Sequence, residues 1–172
     1  MLTHASAAPG HACSKSDAAL AGSRHDTSCR AAPVGGELPQ LTRFARIGGA
    51  EAIARVVDGF YERMDTLPQA ATIRGLHGSD LTATKDVLRR YLGEWLGGPA
   101  LYSRERGHSQ LRRRHIRFAI GPAERDAWML CMRGAVEDVV ADATLREELL
   151  AAFFKLADWV RNDKDNPHDK HR

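Results

Sequence analysis

The run AEAIARVVDGFYERMD, residues Ala50–Asp65, decides the fold class. Its large apolar residues Ile53, Val56, Val57, Phe60, Tyr61 and Met64 recur at i, i+3, i+4, i+7, i+8 and i+11. That spacing gathers side chains on one face of a helix, whereas a strand would need strict alternation. Pro68 blocks continuation, because its ring fixes the backbone and removes an N–H donor. Downstream the pattern returns three times. From Leu81 or Thr82, Val87, Leu88, Tyr91, Leu92, Trp95 and Leu96 follow helical spacing until Gly97, Gly98 and Pro99 end the run. Gly121 and Pro122 open a third helix, with Glu124 and Asp126 in its first turn, where the positive dipole end favours acids. Trp128, Met132, Ala135, Val136 and Val139 form its inner face. A fourth, from about Thr144 to Arg161, presents Leu145, Leu149, Phe153, Leu156 and Val160. Residues Ala100–Arg113 lack periodicity and read as a loop or a very short helix. With no strand run and no repeat, the expected class is all-α.

The rest of the chain frames these helices. At 172 residues the expectation is one folded domain. The shares of hydrophobic (43%) and charged (27%) residues place it with soluble globular chains. No apolar run approaches the roughly 18 residues of a membrane span. Residues 1–40 are dominated by Ala, Ser, Gly and Pro and are expected to form a disordered extension; 41–161 fold, and 162–172 form a polar tail. The amino terminus lacks both a basic start and the apolar stretch of about 7 to 15 residues found in a secretory signal, so the cytoplasm is expected. Cys13, Cys29 and Cys131 are odd in number and widely spaced, which suggests neither disulfides nor a zinc cluster.

Two features call for chemistry. His115 sits in LRRRHIRFAIG, just after the irregular segment, where its imidazole can project between the long helices. Neutral imidazole is a common iron ligand. A lone histidine among arginines is also an ordinary surface residue, and the same applies to His77 and His108. Around it, Arg104, Arg106, Arg112, Arg113, Arg114 and Arg117 stand against Glu105 alone. Such a patch is a solvated face, a contact for phosphate or carboxylate, or a docking face for an acidic partner. Nucleic acid is not expected, since no binding motif frames it. Tyr61 and Trp128 lie on inward faces, and each must place one polar hydrogen.

Three segments taken together, IGGAEAIARVVDGFYERM, HGSDLTATKDVLRRYLGEWLGGPALYSRERGHSQLRRRHIRFAIG and ERDAWMLCM, resemble the group II truncated haemoglobins over residues Arg46 to Val160. The resemblance implies a two-over-two helical sandwich around haem, with His115 as the proximal iron ligand. It places the family's distal tyrosine on Tyr61 and its distal tryptophan on Trp128. Thr84 and Leu88 fall on the distal-helix positions that face the iron, and Tyr102 and Arg114 on positions that contact the haem propionates. Val87, Tyr91, Phe118 and Met132 complete the expected cofactor lining. Two departures stand out: His77 replaces the family's usual Phe or Tyr at the pocket edge, and Leu88 occupies a position where some members carry Gln.

No Cys-x-x-Cys-His occurs, so the implied cofactor is haem b, held without thioether links. The expected function is binding of oxygen or another diatomic ligand, with polar distal groups handling it, rather than simple oxygen transport. Nitric oxide detoxification or peroxidase-type oxidation at the same iron is the second reading. A helical interaction module with a basic face is the third. The reductase that would serve the iron is unidentified, and a homodimer is an open expectation.

Overall fold

The computed structural model describes residues 40–166 and 168. The expected extension at 1–39 and the end of the expected tail lie outside the described residues. Eight α-helices follow in order: α1 (Arg43–Ile47), α2 (Gly49–Thr66), α3 (Ala71–Gly75), α4 (Thr82–Trp95), α5 (Leu101–Arg106), α6 (Leu111–His115), α7 (Pro122–Val139) and α8 (Ala143–Val160). A 3-10 turn at Pro68–Ala70 precedes α3, and no strand occurs among the described residues. Among them, too, no helix is long and apolar enough to cross a membrane.

Helix α2 pairs with α4 and α7 pairs with α8, while α2 lies against α7 and joins the two pairs. All six apolar residues of the α2 stripe are buried, from Val57 at 0% to Tyr61 at 3% exposure. Sandwiched between α2 and α8, α7 buries Met129 and Cys131 as well as Met132, Ala135 and Val136. A helix covered on two sides has a wider apolar arc than a single stripe. Helix ends are closed by side chains: Thr42 accepts from Ala45 N at 3.2 Å, Asp142 from Leu145 N at 3.1 Å, and Glu124 Oε2 from Gly121 N at 2.9 Å.

The turn WLGGP has a steric cause. Gly97 sits at φ +92°, a left-handed conformation that side chains disfavour. Gly98 lies under the Phe44 ring of α1, where an added Cβ would come within 2.6 Å of the ring and 2.8 Å of the Gly93 carbonyl. Phe44 N also donates to Leu96 O at 2.8 Å, so α1 is pinned to the end of α4. Gly98→Ala is expected to lower stability by about 1–3 kcal/mol through overpacking. Urea unfolding measures this, and an unchanged midpoint would mean that Phe44 yields without cost.

The chain does not leave the fold at Arg161, where the sequence suggested a tail. Arg161 is 7% exposed and Asn166 1%. Arg161 pairs with Asp158 and Asp163, each at 2.9 Å, and Asp158 also holds Arg125 of α7 at 2.6 Å. The reason is charge pairing around a carboxylate at the end of α8, which apolar periodicity cannot reveal.

Candidate functional site

One group of candidates comes from α2, the segment after α3, and α7. Phe60 and Tyr61 are neighbours whose rings meet edge to face at 4.9 Å. Trp128 lies 5.3 Å from Phe60 and 6.1 Å from Phe153, so two buried phenyl rings set its orientation. His77 meets the Tyr61 ring edge-on at 5.8 Å. Burial pushes the Tyr61 phenol up to about 12, so its O–H keeps its proton throughout the physiological range. That hydroxyl has no hydrogen-bond partner among the described residues.

His77 is fixed at one nitrogen. Its Nδ1 lies 2.8 Å from the Ile73 carbonyl, which can only accept, so Nδ1 donates its N–H there, and in the neutral ring Nε2 carries the lone pair. Arg74 reaches the carbonyls of Gly78 at 3.0 Å and His77 at 3.4 Å, and pairs with Asp65, which holds the loop bearing His77 in place.

The second group lies on α4, α5 and α6. Thr84, Val87, Leu88 and Tyr91 follow one another at i, i+3, i+4 and i+7 on α4, yet all four are only half-buried. Helix α4 packs on α2 and α5, while α6 packs on α8. An apolar helix face left this open is short of a covering partner. Tyr102 of α5 is buried and meets Tyr91 edge to face at 5.4 Å. Over its ring, at 5.8 Å, stands the Arg114 guanidinium, which pairs with no carboxylate among the described residues.

His115 repeats the arrangement at His77. Its Nδ1 is 2.7 Å from the Leu111 carbonyl, so Nδ1 donates its N–H there, and in the neutral ring Nε2 presents a lone pair. No described residue occupies Nε2. Phe118 stands 6.4 Å from the imidazole, edge to face. No group of three or more His, Cys, Asp or Glu gathers into a metal site among the described residues.

The expected residues thus fall into two clusters, Tyr61 with Trp128 and His77, and Tyr91, Tyr102 and Arg114 near the histidine helix. Met132 joins neither. It is fully buried in the core cluster. In the basic patch Arg104, Arg106, Arg113, Arg114 and Arg117 are exposed. Arg112 is not part of that solvated face: it is half-buried and donates to the Arg161 carbonyl at 3.3 Å. Sequence reasoning missed Asn162, whose side chain bonds to three backbone groups between His115 and Ile120. A polar residue in a polar run gives no signal of partners more than forty positions away.

Comparison with known proteins bears on the family and the fold. The family model for bacterial-like globins matches residues 42–162. The group 2 truncated haemoglobin YjbI of Bacillus subtilis is 40% identical over 101 residues, 59% of this chain and 74% of the relative. Among solved structures, the group II 2-on-2 haemoglobin of Agrobacterium tumefaciens shares 41% identity at a TM-score of 0.70, covering 73% of this chain and 98% of that one. The cold-adapted truncated haemoglobin of Pseudoalteromonas haloplanktis TAC125 shares 33% identity at a TM-score of 0.70, covering 72% and 99%. By matched span, identity and fold, the chain belongs to the bacterial-like globins and, within them, to the group II truncated haemoglobins.

Proposed function

We propose that this chain holds haem b through His115 and binds oxygen and other diatomic ligands on the side of Tyr61 and Trp128. The observation that carries this reading is His115 itself, whose Nδ1–H is given to the Leu111 carbonyl while Nε2 has no partner among the described residues. Metal-bound histidines ordinarily donate their other ring N–H in this way, which fixes the tautomer and raises ligand basicity.

The residues present suit the group. Val87, Leu88 and Tyr91 on the half-buried face of α4, together with Phe118, supply apolar contacts for a flat macrocycle. Thr84 lies on the same face. Arg114 and Tyr102 supply a cation and a hydroxyl for two carboxylates, which gives one arginine of the basic patch a local use. When bound, haem supplies a ferrous iron with an open position that shares electron density with a diatomic ligand, most of all with oxygen. Tyr61 and Trp128 then act as donors. With haem bound, a phenol O–H and an indole N–H would favour a ligand that carries negative charge, as oxygen does, over nearly neutral carbon monoxide. Leu88 brings no polar group of its own. Slow oxygen release suits ligand chemistry or sensing better than delivery. The reductase that such chemistry would require is left open.

His77 adds a third polar group at the edge of this cluster. Oxygen release is expected to change in His77→Phe, and a parental rate in that variant would leave His77 a packing role only.

Equilibrium titration of the ferrous protein tests the function as a whole. Oxygen and carbon monoxide should each bind reversibly at one equivalent per chain, with carbon monoxide displacing oxygen. A ferrous protein whose spectrum changes with neither gas contradicts the reading.

A further inference from the structure

Helix α6 is too short to place anything by itself. One turn of five residues recovers little of the backbone entropy it costs, and none of its residues is buried. Its position is set from outside, by the chain that follows α8. There Asn162 commits its whole side-chain amide to the segment that begins at His115. Nδ2 donates to the carbonyls of His115 at 3.2 Å and Phe118 at 2.7 Å, and Oδ1 accepts from the Ile120 N–H at 3.0 Å. Its backbone N–H also donates to the Ile120 carbonyl at 3.0 Å.

The base on which Asn162 stands is itself anchored. The preceding residue, Arg161, is tied to Asp158 and Asp163, and Asp158 is tied to α7 through Arg125. The Arg161 carbonyl receives Arg112 of α6 at 3.3 Å and the side chain of Asn166. A continuous run of short polar contacts therefore links α7, the end of α8, Asn162 and the histidine segment.

We propose that Asn162 is a positioning residue for His115: it fixes the backbone from which the imidazole projects, and so the direction of Nε2. The inference rests on the reading of His115 as the iron ligand. Two separate points hold the histidine, its carbonyl at Asn162 and its Nδ1–H at Leu111 O. With both fixed, the ring has little freedom to tilt. The choice of residue follows from the donor inventory. An amide offers two donors and one acceptor at this length; a carboxylate keeps the acceptor but sets a negative oxygen against two carbonyl oxygens, and an alkyl group keeps none.

The test uses the full-length haem-loaded protein and compares Asn162→Ala and Asn162→Asp with the parent. Ile47→Ala serves as the control for lowered stability, in α1, which packs on α2 and α8. Two quantities are read: the iron–histidine stretching vibration of the ferrous form by resonance Raman, and the rate of haem transfer to excess apomyoglobin. Both Asn162 variants should shift or broaden the vibration and release haem faster by about 10- to 100-fold, the loss usual when an outer partner of a metal ligand is removed. Ile47→Ala should leave the vibration where it is. Parental vibration and haem-release rate in both Asn162 variants overturn the proposal, as does a control that shifts the vibration equally. If the parent shows no iron–histidine vibration, or His115→Gly retains it, the reading of His115 fails first, a result distinct from failure of Asn162 alone. Should the Asn162 variants not fold, hydrogen exchange in the diamagnetic carbon monoxide form of the parent decides. The Ile120 amide should exchange far more slowly than an unstructured amide, and fast exchange there contradicts the bond on which the proposal stands.

Discussion

His115→Gly is expected to abolish stoichiometric haem retention while leaving the helical fold in place. The two halves of this prediction have separate causes. His115 lies on a helix with no buried residue, so removing the imidazole opens no core cavity and should cost little stability. For haem, however, the imidazole is the one strong bond on offer from this cluster. Apolar contact with α4 remains, but no described side chain stands in for Nε2. Purified variant protein should carry far less than one haem per chain, and added imidazole should restore uptake by filling the vacated space. Circular dichroism at unchanged amplitude would show that the fold survives. An unchanged five-coordinate ferrous histidine spectrum in the variant would show that another histidine is the ligand.

Removing the two distal donors is expected to have the next largest effect, and to be selective for oxygen. Hydrogen bonds to charge-bearing groups contribute about 1.5 to 3 kcal/mol. With about 1.4 kcal/mol per tenfold, each donor slows oxygen release by about ten- to a hundredfold. Tyr61→Phe removes an oxygen atom and nothing else, from a side chain buried to 3% exposure whose hydroxyl has no described partner. Trp128→Phe also removes volume, between Phe60 and Phe153, so its stability must be measured alongside. Stopped-flow release of oxygen and carbon monoxide from both single variants and the double variant separates the roles. Oxygen release should accelerate in each and most in the double variant, not necessarily by the product of the singles, because the donors share one acceptor. Carbon monoxide release should change much less. Were both rings mere core filling, the variants would lose stability and release oxygen at the parental rate.

The long helices are legible in the sequence because each carries its apolar residues at helical spacing; α2, α7 and α8 bury much of that stripe, whereas α4 leaves much of its own half-buried. The spacing predicts a helix over Ala50–Asp65, and α2 runs Gly49–Thr66; likewise the stretch from Thr144 to Arg161 becomes α8, Ala143–Val160. The short helices were not legible. No apolar periodicity marks Arg43–Ile47 or Ala71–Gly75, and Ala100–Arg113, which holds α5 and the start of α6, reads only as a loop or a very short helix. Five or six residues carry too little periodicity, and what holds them lies elsewhere in the chain: Thr42 and the Leu96 carbonyl for α1, Asn162 and the Arg161 carbonyl for α6.

The candidate residues were legible in a different way. Helical spacing alone put Tyr61 and Trp128 on inward faces and Thr84 with Leu88 on one face of α4. Roles for those residues came from resemblance, since a lone histidine among arginines has no distinguishing spacing. Burial does not sort the candidates: Tyr61, Tyr102 and Met132 are all buried, so a residue on an inner face can serve the core, a cofactor or both.

Haem titration of the full-length apoprotein is the most direct test of haem binding through His115. Saturable uptake at one haem per chain is expected, with a sharp Soret band and, on reduction, the spectrum of a five-coordinate histidine-ligated ferrous haem. A protein that stays colourless under reconstituting conditions, or takes up haem without saturation, contradicts it.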